Sequence, residues 1–233
     1  MKALLAIFIL FGTAGVALAD DFDDFGEEFG PIKRVWDPLQ GVNRVMFTLN
    51  DGLYRVILTP ASHGYKVLVP ESARTGVGRM FANIAYPKRL VSNLLQGRLG
   101  PAGIETRRFF LNSTVGLLGF KDVARERYDL YPYDEDLGQV LGAAGMGEIF
   151  PVTLPVLGPM NLRDTIGWIG DGFLDPTSYV EPWRAAFGLK LYDKVNYVSL
   201  HNGEYESVVD AAVDPYLFLR DASSQLRDRK IKE

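Results

Sequence analysis

The sequence predicts a mainly α protein of one domain, preceded by an export signal. Three observations predict it. The pairs Asp37-Pro38, Asp175-Pro176 and Asp214-Pro215 have the form of helix starts: an N-cap aspartate accepts from an orphan amide, and proline is tolerated at the first helical position. Apolar residues recur at helical spacing from residue 38 to residue 229. No series of alternating strands and hairpin turns is present, as a sandwich or barrel would need.

Residues 1–19 read as a signal peptide. Met1-Lys2 supplies the positive start, residues 3–19 are 17 apolar or small residues, and Ala17-Leu18-Ala19 is a small-x-small cleavage site. An uncleaved anchor is the rival reading, at the short limit of a spanning helix. Residues 20–35 form an acidic leader with six carboxylates interleaved by Phe22, Phe25 and Phe29. It is either a solvated segment or a short amphipathic one that docks by its phenylalanines. The helical domain is expected over 36–229, with a basic tail at 230–233.

The chain has no cysteine. In an exported protein this excludes a disulfide framework, thiolate chemistry and an acylated cysteine anchor. Charge is uneven. Residues 74–108 carry seven basic residues against Glu105 alone. Export makes nucleic acid a poor partner for that stretch, so phospholipid headgroups, an acidic protein or plain solvent face it.

Helices are expected over 38–58, 71–85, 87–96, 102–115, 162–174, 187–200 and 204–229. Gly97 suits a helix C-terminus. Asp214-Pro215 either starts a helix or kinks the last one. The first helix is unusual. Its apolar residues spread over about 220° of the helical wheel, where a soluble surface helix needs a stripe of about 100° or somewhat more. It is therefore central in a core, or in lipid on one side and on protein on the other. Asn43 and Asn50 lie seven residues apart inside that apolar arc. They either clamp neighbouring loops or line a polar passage, because a buried amide left unbonded costs about 1–3 kcal/mol.

Residues 137–162 contain one charge, Glu148, with five glycines and three prolines. Those breakers forbid one straight helix. The segment is a hairpin-like element entering a membrane partway, lining protein or water there, or a core segment with tight turns.

Catalytic patterns are scarce. His63 and His201 have no nucleophile or metal motif around them, and no G-x-S-x-G, H-E-x-x-H or P-loop occurs. Asp164, Asp171 and Asp175 would share one face of a continuous helix and so offer a cation site. Capping and pairing with Arg163 compete with that reading. No cofactor is expected.

The blocks "DPLQGVNRVMFTLND" (37–51), "YPKRLVSNLLQG" (86–97), "RRFFLNSTVGLLGFKDVA" (107–124), "EDLGQVLGAAGMG" (135–147), "LPVLGPMNLRDTIGWIGDGFLDP" (154–176) and "DPYLFLRDASSQLR" (214–227) resemble the VacJ/MlaA family of Gram-negative outer-membrane proteins. The resemblance implies a helical ring in the inner leaflet of the outer membrane. A central amphipathic passage there removes mislocalised phospholipid from the outer leaflet and hands it to a soluble periplasmic lipid carrier. A trimeric porin is the implied membrane partner, and an inner-membrane ATP-driven complex lies downstream. Two features depart from the family: the lipidated cysteine is missing, and Gly147-Glu148-Ile149-Phe150-Pro151 stands where many relatives have Gly-Pro-Tyr.

On this reading Asn43, Arg44 and Asn50 form or brace the lipid pathway. Lys88 and Arg89 meet headgroups. Gly138, Gly142, Gly145 and Gly147 let the access loop bend, or serve close packing. An exported phospholipase and a purely structural periplasmic protein are the competing functions.

Overall fold

The computed structural model describes residues 35–232. The expected signal peptide (1–19) and the acidic leader (20–35, apart from Val35) fall outside the described residues. Helices dominate, with one two-stranded sheet among the described residues.

Helix α1 (Gln40–Leu53) runs through a π turn (Tyr54–Leu58) into α2 (Thr59–Leu68). Pro60 has no N–H to donate, and its ring crowds the carbonyl four residues back. The wider turn directly before it absorbs that break. The expected start at Asp37-Pro38 is corrected: α1 begins at Gln40 without a side-chain cap. Asp37 instead accepts from Asn43 at 3.0 Å, from Arg220 at 3.3 Å and from the Tyr216 hydroxyl. Three donors, one of them charged, outweigh a single capping bond.

Helices α3 (Glu71–Ile84) and α4 (Tyr86–Leu95) match the expected segments. Gly97, at φ +72°, ends α4 with Arg98 N donating to Asn93 O at 2.9 Å, the left-handed closure glycine permits. Helix α5 (Leu99–Thr114) starts earlier than expected, because Pro101 falls in the first turn where no intrahelical N–H is needed. Two short helices, α6 (Val123–Tyr128) and α7 (Leu137–Ala143), were not expected. Each is capped by an aspartate: Asp122 accepts from Arg125 N at 3.2 Å and Asp136 from Gln139 N at 2.9 Å.

Strands β1 (Pro151–Leu154) and β2 (Gly158–Asn161) form an antiparallel hairpin, with Pro151 opposite Asn161 and Leu154 opposite Gly158. Asn161 then caps α8 (Leu162–Leu174), accepting from Asp164 N at 2.8 Å. Asp175 accepts from Thr177 N at 2.9 Å and opens a 3₁₀ turn (Pro176–Tyr179). Helix α9 (Trp183–Leu200) follows. The single helix expected over 204–229 is corrected to α10 (Glu204–Ala211) and α11 (Pro215–Lys232). Ala212 is extended, and Asp214 accepts from Leu217 N at 3.1 Å, so the third Asp-Pro pair restarts a helix rather than kinking one.

The packing order is α7 on α8, α4 on α5, α9 on α2 and α3, and the hairpin between α1 and α11. At the α7–α8 crossing the backbones nearly touch: a Cβ on Gly167 would lie 2.2 Å from Gly138 N. Much of the interior is ionic. Glu105, fully buried, takes Arg89 at 2.6 Å and Tyr133 N at 2.8 Å. Arg227 forks onto Asp136 at 2.6 and 2.8 Å and reaches Asp164 at 3.0 Å.

The basic run at 74–108 is largely matched in space. Arg79 meets Glu126, Arg89 meets Glu105, Arg98 meets Glu135, and Arg108 meets Asp122. The outer face of α1 and α2 is apolar and exposed along its length, including Val42, Val45, Leu49 and Val56, with Val67 85% and Leu68 82% accessible.

Candidate functional site

Helix α1 places the two amides. Asn43, 2% exposed, accepts from Thr153 N at 2.8 Å and donates to Pro151 O at 3.1 Å. Asn50 repeats the pattern, accepting from Val156 N at 2.6 Å and donating to Leu154 O at 2.8 Å. Seven helical residues rise about 10.5 Å and three strand residues about 10 Å. The spacing that looks odd on a helical wheel thus matches the step along β1. Each amide offers the strand edge one donor and one acceptor, as another strand would. The geometry is a clamp on the hairpin.

Arg44 forks onto Asp214 at 2.6 and 3.2 Å, with its guanidinium 5.1 Å from the Tyr216 ring centre, which locks α1 to the start of α11. Of the four glycines singled out in sequence, Gly138 and Gly142 are packed closely. A Cβ at Gly138 would meet Arg227 at 2.5 Å, and one at Gly142 would meet Ile231 at 2.5 Å. Gly145 takes φ +92°, and both it and Gly147 border open space.

Inside the helices lie two cavities of about 520 and 330 Å³. The larger has a mixed wall, in which Asn83, Asp134, Gln139, Asn161 and Arg227 interrupt apolar surface from residues such as Phe81, Met160 and Leu226. The smaller is walled mainly by Leu53, Ile57, Ile84, Leu157, Phe187 and Leu191. They share Phe81, Ala85, Lys88, Trp168, Asp171 and Asp193, so these residues form the junction between the mixed chamber and the oily one. A third space of about 120 Å³ lies under the hairpin, against Asn50, Val156 and Leu157.

Lys88 and Arg89 part ways here. Lys88 lines both cavities, whereas Arg89 borders only the larger, and its guanidinium is committed to Glu105 and to Ala82 O at 2.7 Å. The three aspartates on the expected helical face also separate. Asp164 is bound by Arg163 and Arg227, Asp175 by Lys190 at 2.9 Å, and Asp171 is left at the junction. Among the described residues no group of three or more acidic or histidine side chains could hold a metal ion.

Burial pushes the Asp171 carboxyl up to about 7, against the pull of Lys88. It pushes Asp193 up to about 6, against Lys194, while Lys194 is itself held low by burial. Asp136 goes the other way: burial would raise it, but Arg227 overrides burial and keeps it ionised. Sequence reasoning missed Trp168, Asp193 and Lys194. The available signal was an adjacent acid–base pair, Asp193-Lys194, flanked by the apolar and aromatic residues of α9.

The model of the family described as MlaA lipoprotein matches residues 35–230. The intermembrane phospholipid transport system lipoprotein MlaA of Escherichia coli K12 is 31% identical over 195 residues, which is 82% of this chain and 77% of the relative. Its counterpart in Haemophilus influenzae is 27% identical over 203 residues, 84% and 80% of the two chains. A solved chain described under "Structural basis for maintenance of bacterial outer membrane lipid asymmetry" superposes with a TM-score of 0.73 at 30% identity, over 84% of this chain and 99% of that one.

Proposed function

The chain belongs to the MlaA lipoprotein family, and from that membership we propose that it takes mislocalised phospholipid from the outer leaflet of the outer membrane and passes it through the joined cavities to a soluble periplasmic carrier. One observation carries this reading: two adjoining cavities share a ring of residues, the smaller walled almost wholly by apolar side chains and the larger adding many charged and amide groups to its apolar wall. A phospholipid has two apolar tails and a charged head, and moving it through a protein requires both surfaces at once. The volumes fall in the range of small-molecule sites, enough for a headgroup and part of the tails at one time. Asn43 and Asn50 brace the pathway by fixing the hairpin that walls it, and Arg44 fixes the neighbouring helix end. Lys88 faces the lipid head, with Arg89 behind it supporting the wall. Gly145 and Gly147 are the flexible points of the access loop.

Seating in the membrane follows from the outer face of α1 and α2. The family is described as lipoprotein, yet this sequence has no cysteine to acylate. Six exposed apolar side chains on that face, moved into lipid, contribute on the order of 10 kcal/mol. A single acyl chain gives only reversible binding, of roughly 10⁴ M⁻¹. No helix among the described residues is long and apolar enough to cross a membrane, which suits a body resting in one leaflet beside a porin trimer.

The test is extraction of the full chain from native outer membranes in mild detergent, followed by mass spectrometry of the lipid that copurifies. Intact phospholipid is expected, and labelled phospholipid added to the preparation should release no fatty acid. Protein recovered in the aqueous fraction without lipid would overturn the proposal.

A further inference from the structure

The interior matches its charges with care, except at one place. Asp136 and Asp164 share Arg227, Asp122 has Arg108, and Asp175 has Lys190. At the junction of the two cavities the pattern stops. Asp171 is 8% exposed; one of its oxygens accepts from Leu137 N at 3.1 Å, and the other accepts no hydrogen bond from any described residue. Asp193 and Lys88 enter no hydrogen bond or contact ion pair among the described residues. Lys194, next to Asp193 on α9, faces the apolar cavity, 5.8 Å from the Tyr197 ring centre. Asp171 is buried, while Asp193 and Lys88 in the shared ring and Lys194 on its apolar side are half-buried, and none of the four makes a contact ion pair. A buried charge needs one, or it costs several kcal/mol. The other buried charges of these walls are paired, so the missing partner is a group that passes through.

A phosphate alone would satisfy the lysines and be repelled by the carboxylates. A cation alone would do the reverse. We propose that the junction reads the lipid headgroup: Asp171 and Asp193 receive a primary ammonium while Lys88 and Lys194 receive the adjacent phosphate, so phosphoethanolamine lipids are favoured over anionic ones. This rests on the reading that phospholipid passes through the cavities. The apolar members of the same ring, Phe81, Ala85 and Trp168, accommodate the first methylenes of the tails without competing for the head.

The experiment uses full-length protein in detergent at pH 8 with an equimolar mixture of phosphatidylethanolamine and phosphatidylglycerol of matched acyl chains. Bound lipid is extracted from the repurified protein and counted. The wild type is expected to enrich phosphatidylethanolamine at least about fivefold over the input, the scale of one charge-assisted hydrogen bond in a partly wet site. Asp193→Asn should reduce that enrichment, and Asp171→Asn with Asp193→Asn should abolish it while total lipid stays within about twofold of wild type. Asparagine at 171 can still accept from Leu137 N. Asp193 makes no hydrogen bond to lose, so the single variant reports even if the double one unfolds. Equal uptake of both lipids by the wild type overturns the headgroup assignment and leaves conduction standing. Enrichment that survives in Asp193→Asn and in the double variant overturns the assigned residues. Uptake of neither lipid overturns conduction itself, and the headgroup assignment with it.

Discussion

Replacing Asn43 with leucine removes the acceptor for Thr153 N and the donor to Pro151 O and Asp37, while keeping the helix and adding apolar bulk. Both backbone groups lie on the strand edge turned toward α1, and Asn43 is 2% exposed, so water cannot replace the amide. Each buried polar group left unbonded costs about 1–3 kcal/mol, giving about 2–6 kcal/mol for the pair. In a domain of this size that lowers the melting temperature by roughly 5–20 °C. Asn50→Leu breaks an analogous pair to Leu154 O and Val156 N, but Asn50 is half-buried and solvent reaches the turn, so its cost is about 1 kcal/mol. Thermal unfolding in detergent, with hydrogen exchange of the amides of Val152, Thr153, Leu154 and Val156, separates the two. Faster exchange should begin at Thr153 in the first variant and stay confined to Val156 in the second. A clamp is refuted if Asn43→Leu melts within about 2 °C of wild type with Thr153 still protected, or if both variants cost the same. The double variant should also disturb outer-leaflet phospholipid without abolishing export.

Glu105→Gln removes the carboxylate buried beside Arg89 and Arg108, leaving guanidinium groups without their counter-charge, and should cost about 3–5 kcal/mol in a urea titration. Gly167→Ala pushes a methyl into the backbone of Gly138 at 2.2 Å, so α7 and α8 must separate; a large drop in yield and in melting temperature is expected, where Gly147→Ala, which meets open space, should have little effect. The pH profile follows from the raised carboxyls. Asp171 moves from its ordinary 3.8 to about 7 on folding, so its favourable contribution is complete below about pH 4 and is lost as pH rises through 7. Melting temperature should therefore fall between pH 5 and pH 8, and Asp171→Asn should flatten that fall; an unchanged slope in the variant would show that the carboxyl does not titrate in this range.

Much of the secondary structure was legible. Helices α3, α4 and α8 lie where Gly97, Pro87 and the 162–174 periodicity put them, since local capping and breaking chemistry needs no tertiary information. Helices α6 and α7 escaped notice because six or seven residues carry too few turns for an apolar period to show. Their aspartate caps were the only local mark. The first helix was read correctly as too apolar for one buried face. Its two jobs became visible only with coordinates: an amide edge for the hairpin and an oily outer face. Arg89 looked like part of a basic patch because Glu105 is its partner in space, sixteen residues further along the chain.

The sequence by itself determined the helical class, the ends of α3, α4 and α8, the broken apolar hairpin and the lack of any thiol chemistry, because those depend on each residue and its near neighbours. The tertiary structure alone decided which charges matter. Lys88, Trp168, Asp171 and Asp193 come from α4, α8 and α9, and nothing local distinguishes Asp171 from the capped Asp164 or the paired Asp175. What distinguishes it is the water it has lost and the counter-ion it was not given. Desolvation and pairing are set by every element that closes around a group, so they exist only once the chain has folded.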